Sequence, residues 1–428
     1  MNAESIRDVL FQPLKINGVT ARNRLAMGPI AAHGPHPDGR ASDQTAAFFE
    51  ARARGGIGLI IVGGAISTTH GWEGHIPNPD LLRLDRDDFV PDLQRVTEAV
   101  HRHDTPIFAQ INTGQGRMGV PGPNHIAASA KAVDAAEEAV PNGVVIPGGL
   151  HLPPPREASA DEIHMLEADT AASAIRMKRA GFDGVELGAH MSYFLSSFLS
   201  PRTNWREDEY GGGTQNRARI VCNIIRQIRA EAGPDFPIGV RMCVNEQVEG
   251  GQGPAGYAEI AAEFEKAGAD YIAMTNGGYE KMNLSLPMRD GALVENGEPA
   301  IMRKAVSIPL LMQSVHDPAN AATYISAGHA DMVMLARQML ADPDYANKVR
   351  DGRLNDITWC NRENVCLRRL MMDMPVKCPL NPRSGIESQA PGAAPSAGQW
   401  LQNAKEAFLL TVTKSRTVTK IGMRLKGH

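Results

Sequence analysis

Between Asp183 and Arg217 the sequence DGVELGAHMSYFLSSFLSPRTNWREDEYGGGTQNR passes from a short apolar run into small and polar residues, then into a long irregular stretch. His190 and Tyr193 stand just past Val185 to Leu187. A strand ending there would carry an imidazole and a phenol to a surface, where either could hydrogen-bond a bound molecule. Both also admit a bland reading, a satisfied histidine and a packed aromatic. Pro201 to Gly213 is too rich in Pro, Asn, Arg and Gly to be core. A second concentration of reactive side chains is Cys360, Cys366 and Cys378. Five cysteines, an odd number, argue against a disulfide framework. Cys222 and Cys243 sit in apolar surroundings and read as core thiols, an explanation that does not extend to the other three.

Whatever chemistry these groups do, repeating elements must position them. Short apolar runs read as strands at Leu25 to Ile30, Ile57 to Val62, Pro106 to Ile111, Asp183 to Leu187, Ile238 to Cys243, Tyr271 to Thr275, Ile308 to Met312 and Met332 to Leu335. Helical patterns alternate with them at Asp43 to Arg54, Phe89 to His103, Ala160 to Ala180, Gln215 to Ala232, Pro254 to Lys266, Pro299 to Val306, Pro318 to Ala327 and Pro343 to Arg350. KRAGFDGVEL, EKAGADYIAM and SAGHADMVML each pass from a helix end through Ala-Gly to an Asp and an apolar strand, one unit recurring. Gly181, Gly268 and Gly328 fit the left-handed position just past a helix. Near-continuous apolar strands demand cover on both faces, as in a parallel sheet. The pattern predicts an α/β fold, a (β/α)8 TIM barrel, with a doubly wound open sheet as the alternative. Two insertions interrupt it, Met118 to Ser159 and a candidate lid, Tyr279 to Glu298.

The 428 residues allow one large domain and an appendage. The reading divides them into a barrel over 1–353, a cysteine-containing extension over 354–387, and a linker with a helical tail over 388–428. A net charge of −4 suggests neither nucleic acid nor an anionic membrane as a partner, and leaves a small molecule. The start, MNAESIRDVLFQPL, has no basic n-region or long apolar run, from which a cytoplasmic protein is expected.

The strand-end residues resemble the old yellow enzyme family of flavin oxidoreductases, from about Leu10 to Glu387. LFQPLKINGVTARNRLAMGPIA is similar to the family's opening hairpin and first strand, and LSPRTNWREDEYGGGTQNR to its Pro-x-x-Asn-x-Arg-x-Asp-x-Tyr-Gly-Gly stretch. The resemblance implies FMN across the barrel mouth. Backbone at Pro29 and Ala31 would lie beside the isoalloxazine ring, Gly64 would leave room for it, and Gln110 would bond its pyrimidine edge. Arg241 would put positive charge near N1 and O2, where reduced flavin accumulates negative charge. Arg337 would clamp phosphate with Ser314 and Ala336, although Gln313, Ser314 and Ala336 replace glycines common in the family. The family's pair of polar hydrogen bonders falls on Gly188 and Met191 without gaps. A one-residue shift instead aligns Gly188-Ala189-His190 with Gly-Ala-His and leaves His190 without its partner.

WCNRENVCLRRLMMDMPVKCPLNP resembles the iron–sulfur extension of the subgroup containing 2,4-dienoyl-CoA reductase and trimethylamine dehydrogenase. Cys360, Cys366 and Cys378 match three of four ligand positions, and Glu363, a hard ligand, stands at the other. A cluster held by these four residues and a relict, metal-free extension are both open. No Gly-x-Gly-x-x-Gly follows Cys378, so NAD(P)H would act directly at the FMN face, or electrons would pass to a separate partner protein. A homo-oligomer is compatible with all of this. The expectation is an FMN-dependent oxidoreductase passing hydride between flavin and a small organic substrate. The missing carbonyl clamp tilts it toward an amine or N-methyl compound. NAD(P)H-dependent reduction of enones or enoyl thioesters is the alternative, and a catalytically degenerate flavin-binding or scaffolding subunit is the alternative of another class.

Overall fold

The computed structural model describes residues 2–76, 78–390 and 397–425. Its centre is a closed, all-parallel barrel of β1 (Leu25–Met27), β2 (Leu59–Val62), β3 (Ile107–Ile111), β4 (Gly184–Ala189), β5 (Ile238–Cys243), β6 (Tyr271–Thr275), β7 (Leu310–Gln313) and β8 (Met332–Leu335). Following these strands in turn are α1 (Asp43–Arg54), α2 (Val90–His101), α3 (Ala160–Arg179), α4 (Thr214–Ala232), α5 (Pro254–Ala267), α6 (Glu298–Ala305), α7 (Pro318–Ser326) and α8 (Tyr345–Arg350). Every strand residue is buried, so the apolar runs face side chains within and helices without. The open-sheet alternative is excluded by β8 pairing with β1, Met334 opposite Ala26.

The recurring Gly–Asp unit has a structural explanation. Gly181, Gly268 and Gly328 turn the chain out of α3, α5 and α7 with φ of +84°, +107° and +74°, a left-handed backbone that strains any residue with a side chain. The aspartates that follow each accept the first amide of a neighbouring strand: Asp183 from Ile107 N, Asp270 from Ile238 N and Asp331 from Leu310 N, all at 2.8 Å. The repeat therefore caps the amino end of the barrel. Beneath it, a hairpin of Leu14–Ile16 and Val19–Ala21, turned at Asn17-Gly18, packs Leu14, Ile16 and Ala21 against Leu59, Phe108, Leu311 and Met332. That end of the barrel is plugged.

Differences from the expected spans are local. β1 stops at Met27, ahead of Gly28 and of Pro29, which has no amide to donate to a ladder. β4 runs on to Ala189, because Gly188 and Ala189 still pair with Arg241 and Met242. The first insertion holds only two-residue strand pairs, Ile126–Ala127 with Arg156–Glu157 and Asp134–Ala135 with Leu150–His151. The second has short helical turns at Met282–Ser285 and Ala292–Asn296.

The extension packs on the barrel through buried polar bonds. Arg52, fully buried with its guanidinium 3.7 Å from the centre of the Phe48 ring, donates to Glu387 Oε1 at 2.7 Å, and Asp80 accepts from Val376 N at 2.7 Å. In the tail, the helix Ala397–Val412 is tied down by Arg369 donating to Glu406 Oε2 at 2.5 Å. A second helix spans Arg416–Leu425; residues 391–396 of the expected linker and 426–428 of the tail lie outside the described residues. No described helix is long and apolar enough to cross a membrane.

Candidate active site

At the carboxyl ends of the strands the barrel interior changes from apolar to polar. Glu186 on β4 is fully buried and accepts from Gln110 Nε2 on β3 at 2.7 Å and from the hydroxyl of Tyr271 on β6 at 3.1 Å. Arg241 on β5 donates through Nη2 to Gln313 Oε1 on β7 at 2.8 Å, and its Nε is buried with no partner. Burial pushes the Glu186 carboxyl up, against the Arg241 charge that favours ionisation. Gly239 makes the layer possible, since a Cβ there would lie 2.0 Å from the Tyr271 ring. Glu186 and Tyr271 were not among the expected site residues. A lone glutamate inside the apolar run Val185 to Leu187 was the available signal, because only a barrel interior accommodates it.

The chain leaves β4 through a tight turn, the bulge at Met191 and Ser192. Met191 and Ser192 are both left-handed, with φ of 54° and 62°, in the place of the polar partner that the family pattern would supply. The bulge sits on Gly116, where a Cβ would lie 2.4 Å from Phe194 N, and Arg117 N donates to Ser192 O at 3.2 Å. His190 is buried with Nδ1 unpartnered, and burial together with the Arg241 charge pushes its pKa well below the usual value, so the ring is neutral. Its ring meets Tyr193 edge-on at 5.5 Å, and Tyr193 in turn meets Tyr279 of the second insertion, ring centres 6.1 Å apart and hydroxyls 3.3 Å apart. The sequence reading had placed Tyr279 in a lid, without a role.

The next residue locks this arrangement. The Glu280 carboxylate, buried, accepts from Arg117, from Arg202 at 3.3 Å and from Ser192 Oγ at 3.2 Å. Burial raises its pKa, but the two guanidinium groups outweigh that and hold it below the ordinary range. One carboxylate thus joins the residues before the first insertion, the bulge, the signature loop and the second insertion. A cavity of about 20 Å³ lies alongside, lined in part by Ser192, Arg202 and Tyr257.

The signature stretch itself is scaffolding. Asn204 donates to Phe198 O and Tyr210 O, both at 2.8 Å, Arg206 reaches Ala158 O at 2.7 Å, and Asp208 accepts from Tyr210 N at 3.0 Å. Arg217 donates to Leu199 O at 3.0 Å. Asn204, Arg206, Asp208 and Arg217 thus all hold loop backbone.

Past β7 and β8 the chain forms a corner around two buried arginines, Arg337 and Arg362. Ser314 is left-handed, with φ of 61°, and Ala336 leads into the short helix Arg337–Ala341. Arg337, buried, donates to Asn364 Oδ1 at 2.7 Å and to Pro287 O at 2.9 Å. Arg362, also buried, pairs with Asp290, and Asp290 accepts from His316 N at 2.9 Å and from Asp317 N at 2.8 Å at the start of α7. Pro29 and Ala31 lie half-buried at the end of β1. Gly64 faces Ala31, whose Cβ would lie 2.5 Å from a Cβ at that position, so this glycine makes room for the first-strand loop.

The four expected metal ligands are not gathered. Cys360, Cys366 and Cys378 are half-buried electrostatic neighbours, burial pushing the Cys366 thiol up to about 11 and raising Cys378. Glu363 is exposed and faces Arg368. Among the described residues no group of three or more His, Cys, Asp or Glu could hold a metal ion. As placed, with Glu363 turned outward, the four residues do not form a site for an iron–sulfur cluster.

A closed parallel barrel with a polar inner layer, an aromatic rim and two buried arginines past its last two strands defines a (β/α)8 barrel with its polar groups gathered at one end. The chain belongs to the NADH:flavin oxidoreductase / NADH oxidase family, whose model matches residues 9–356. It is 34% identical over 385 residues to an NADH oxidase of Thermoanaerobacter brockii, an alignment covering 88% of this chain and 56% of the relative. It is 28% identical over 394 residues to an N,N-dimethylglycine/sarcosine dehydrogenase of Chromohalobacter salexigens, covering 89% and 54%. The structure of a 2-naphthoyl-CoA reductase complexed with 2-naphthoyl-CoA superimposes with a TM-score of 0.78 at 26% identity, over 90% of this chain and 58% of that one. The chain therefore spans little more than half the length of these relatives.

Proposed function

We propose that the chain is an FMN-dependent oxidoreductase acting on a small amine or N-methyl compound. The donor chemistry fits FMN. Arg241 holds a buried, unpartnered Nε beneath the mouth, and His316 beside the corner past β7 and β8 has neither ring nitrogen bonded. Gln110 and Arg241 would face the pyrimidine edge, first-strand backbone at Pro29 and Ala31 the ring, and Ser314, Ala336 and Arg337 the phosphate, with Arg362 added to the expected set. Flavin, when bound, accepts or returns hydride.

The chain's own residues favour amine substrates. Tyr193 and Tyr279 present aromatic surface on which an ammonium or methylammonium group is held by the ring quadrupoles. Neutral His190 offers an unpartnered nitrogen that can accept a hydrogen bond from an amine N–H. Glu280 offsets one of the two positive charges of Arg117 and Arg202. The single observation carrying this reading is the His190–Tyr193–Tyr279 aromatic run beside Gly188 and Met191, the positions where the family pattern would place two polar hydrogen bonders. The test is an anaerobic visible spectrum of the purified chain, followed by turnover of methylated amines with an artificial acceptor and of enones with NADPH. Flavin bands and amine turnover are expected. Rapid enone reduction without amine oxidation would transfer the chain to the ene-reductase reading, and a colourless protein that takes up no FMN to the scaffold reading.

A further inference from the structure

The corner past β7 already holds an anion, supplied by the chain itself. Asp290 offers one oxygen to His316 N and the other to Asp317 N, its side chain is only 8% exposed, and Arg362 closes on it from the extension. Two amides at a helix start plus a guanidinium is the environment a phosphate takes, and the loops after the last two strands are where barrels of this class bind one. Burial raises the carboxyl's proton affinity, but the amides and Arg362 overcome it and keep Asp290 ionised. The corner is built for more than a carboxylate. His316, 4% exposed, faces Arg362 and Arg337 with both ring nitrogens unpartnered. The same lid segment also covers the neighbouring donors: Pro287 O, three residues before Asp290, accepts from Arg337 at 2.9 Å and from Arg362 at 3.4 Å. Lifting residues 286–290 would release Arg337 from Pro287 O, Arg362 from Asp290, and two amides in one movement, with Arg337 still held by Asn364.

We propose that Asp290 is a built-in stand-in for a ligand phosphate, so that the lid competes with the phosphate of the cofactor for the corner past β7. The proposal rests on the flavin reading above. Apparent affinity for a phosphorylated ligand is then reduced by the fraction of molecules with the lid open, while a ligand lacking the phosphate does not contest Asp290. The experiment measures FMN and riboflavin binding to the flavin-free full chain by fluorescence quenching, for the unaltered chain and for Asp290→Asn. FMN should bind at least about tenfold tighter to the variant, the factor corresponding to about 1.4 kcal/mol, with riboflavin affinity unchanged. FMN affinity that is unchanged or weaker in the variant overturns the proposal while leaving the flavin reading intact. Uptake of neither flavin by either chain overturns both. Because Asp290 also supports the start of α7, a second measurement uses the unaltered chain: hydrogen exchange of 282–297 should accelerate on FMN addition, and increased protection there would count against the lid as a competitor.

Discussion

At the scale of single residues, buried imidazoles stand out. Burial pushes His33, His190 and His316 below the usual value, reinforced by Arg241 at His190, and by Arg362 and Arg337 at His316, which reaches about 3. In the unfolded chain each would take up a proton near pH 6.5. Their folded values being lower, the unfolded state binds more protons as the pH falls, so stability present above about pH 6.5 is lost progressively toward pH 3. The midpoint of thermal unfolding should be lower at pH 5 than at pH 7.5, and His316→Gln should make that slope shallower. A slope unaltered by the substitution would mean that His316 does not sense the acid. None of this was legible in the sequence. Each histidine is surrounded by partners from distant segments, and the neutral state of His190 depends on Arg241, which reaches it only because β4 and β5 are neighbours in the closed barrel.

At the scale of elements, Glu280 is the pin between the bulge after β4 and the lid. Replacing it by Gln keeps the shape but leaves Arg117 and Arg202 buried without a counter-charge, and breaking a buried pair in this way costs about 3–5 kcal/mol. Urea unfolding of Glu280→Gln should show the midpoint falling by a corresponding amount with an unchanged slope; a midpoint within error of the parent would show that the triad contributes nothing. The barrel strands and their helices were legible because strand burial on two faces leaves near-continuous apolar runs, and because Ala-Gly, followed after one or two intervening residues by Asp, marks three of the turns. The expected residues His190, Gln110, Arg241 and Arg337 could be placed because they stand on or just past barrel strands. Tyr279, Glu280, Asp290 and Arg362 could not, since they lie in irregular segments with no period of their own, and their partners are fixed only by the fold. Glu363 was misplaced for the related reason that motif spacing says nothing of which way a loop side chain turns.

For the molecule as a whole, the extension and the barrel are joined by Arg52 and Glu387, a pair with side chains 0% and 5% exposed. Glu387→Ala strands a buried guanidinium, and thermal unfolding is expected to begin several degrees lower, with limited proteolysis cutting the extension first. Cleavage at the same sites and rate in both chains would place the attachment elsewhere. The pairing of β8 with β1 carries a different consequence, one of time. Met334 must find Ala26 across almost the entire barrel sequence, and the entropy of closing so long a loop has to be met before the contact repays it. Until that last seam forms, β1 and β8 each present an unpaired edge, the surface on which partly folded chains join one another. A closed barrel has no such edges once complete, so the hazard belongs to the chain's making and is absent from the finished molecule.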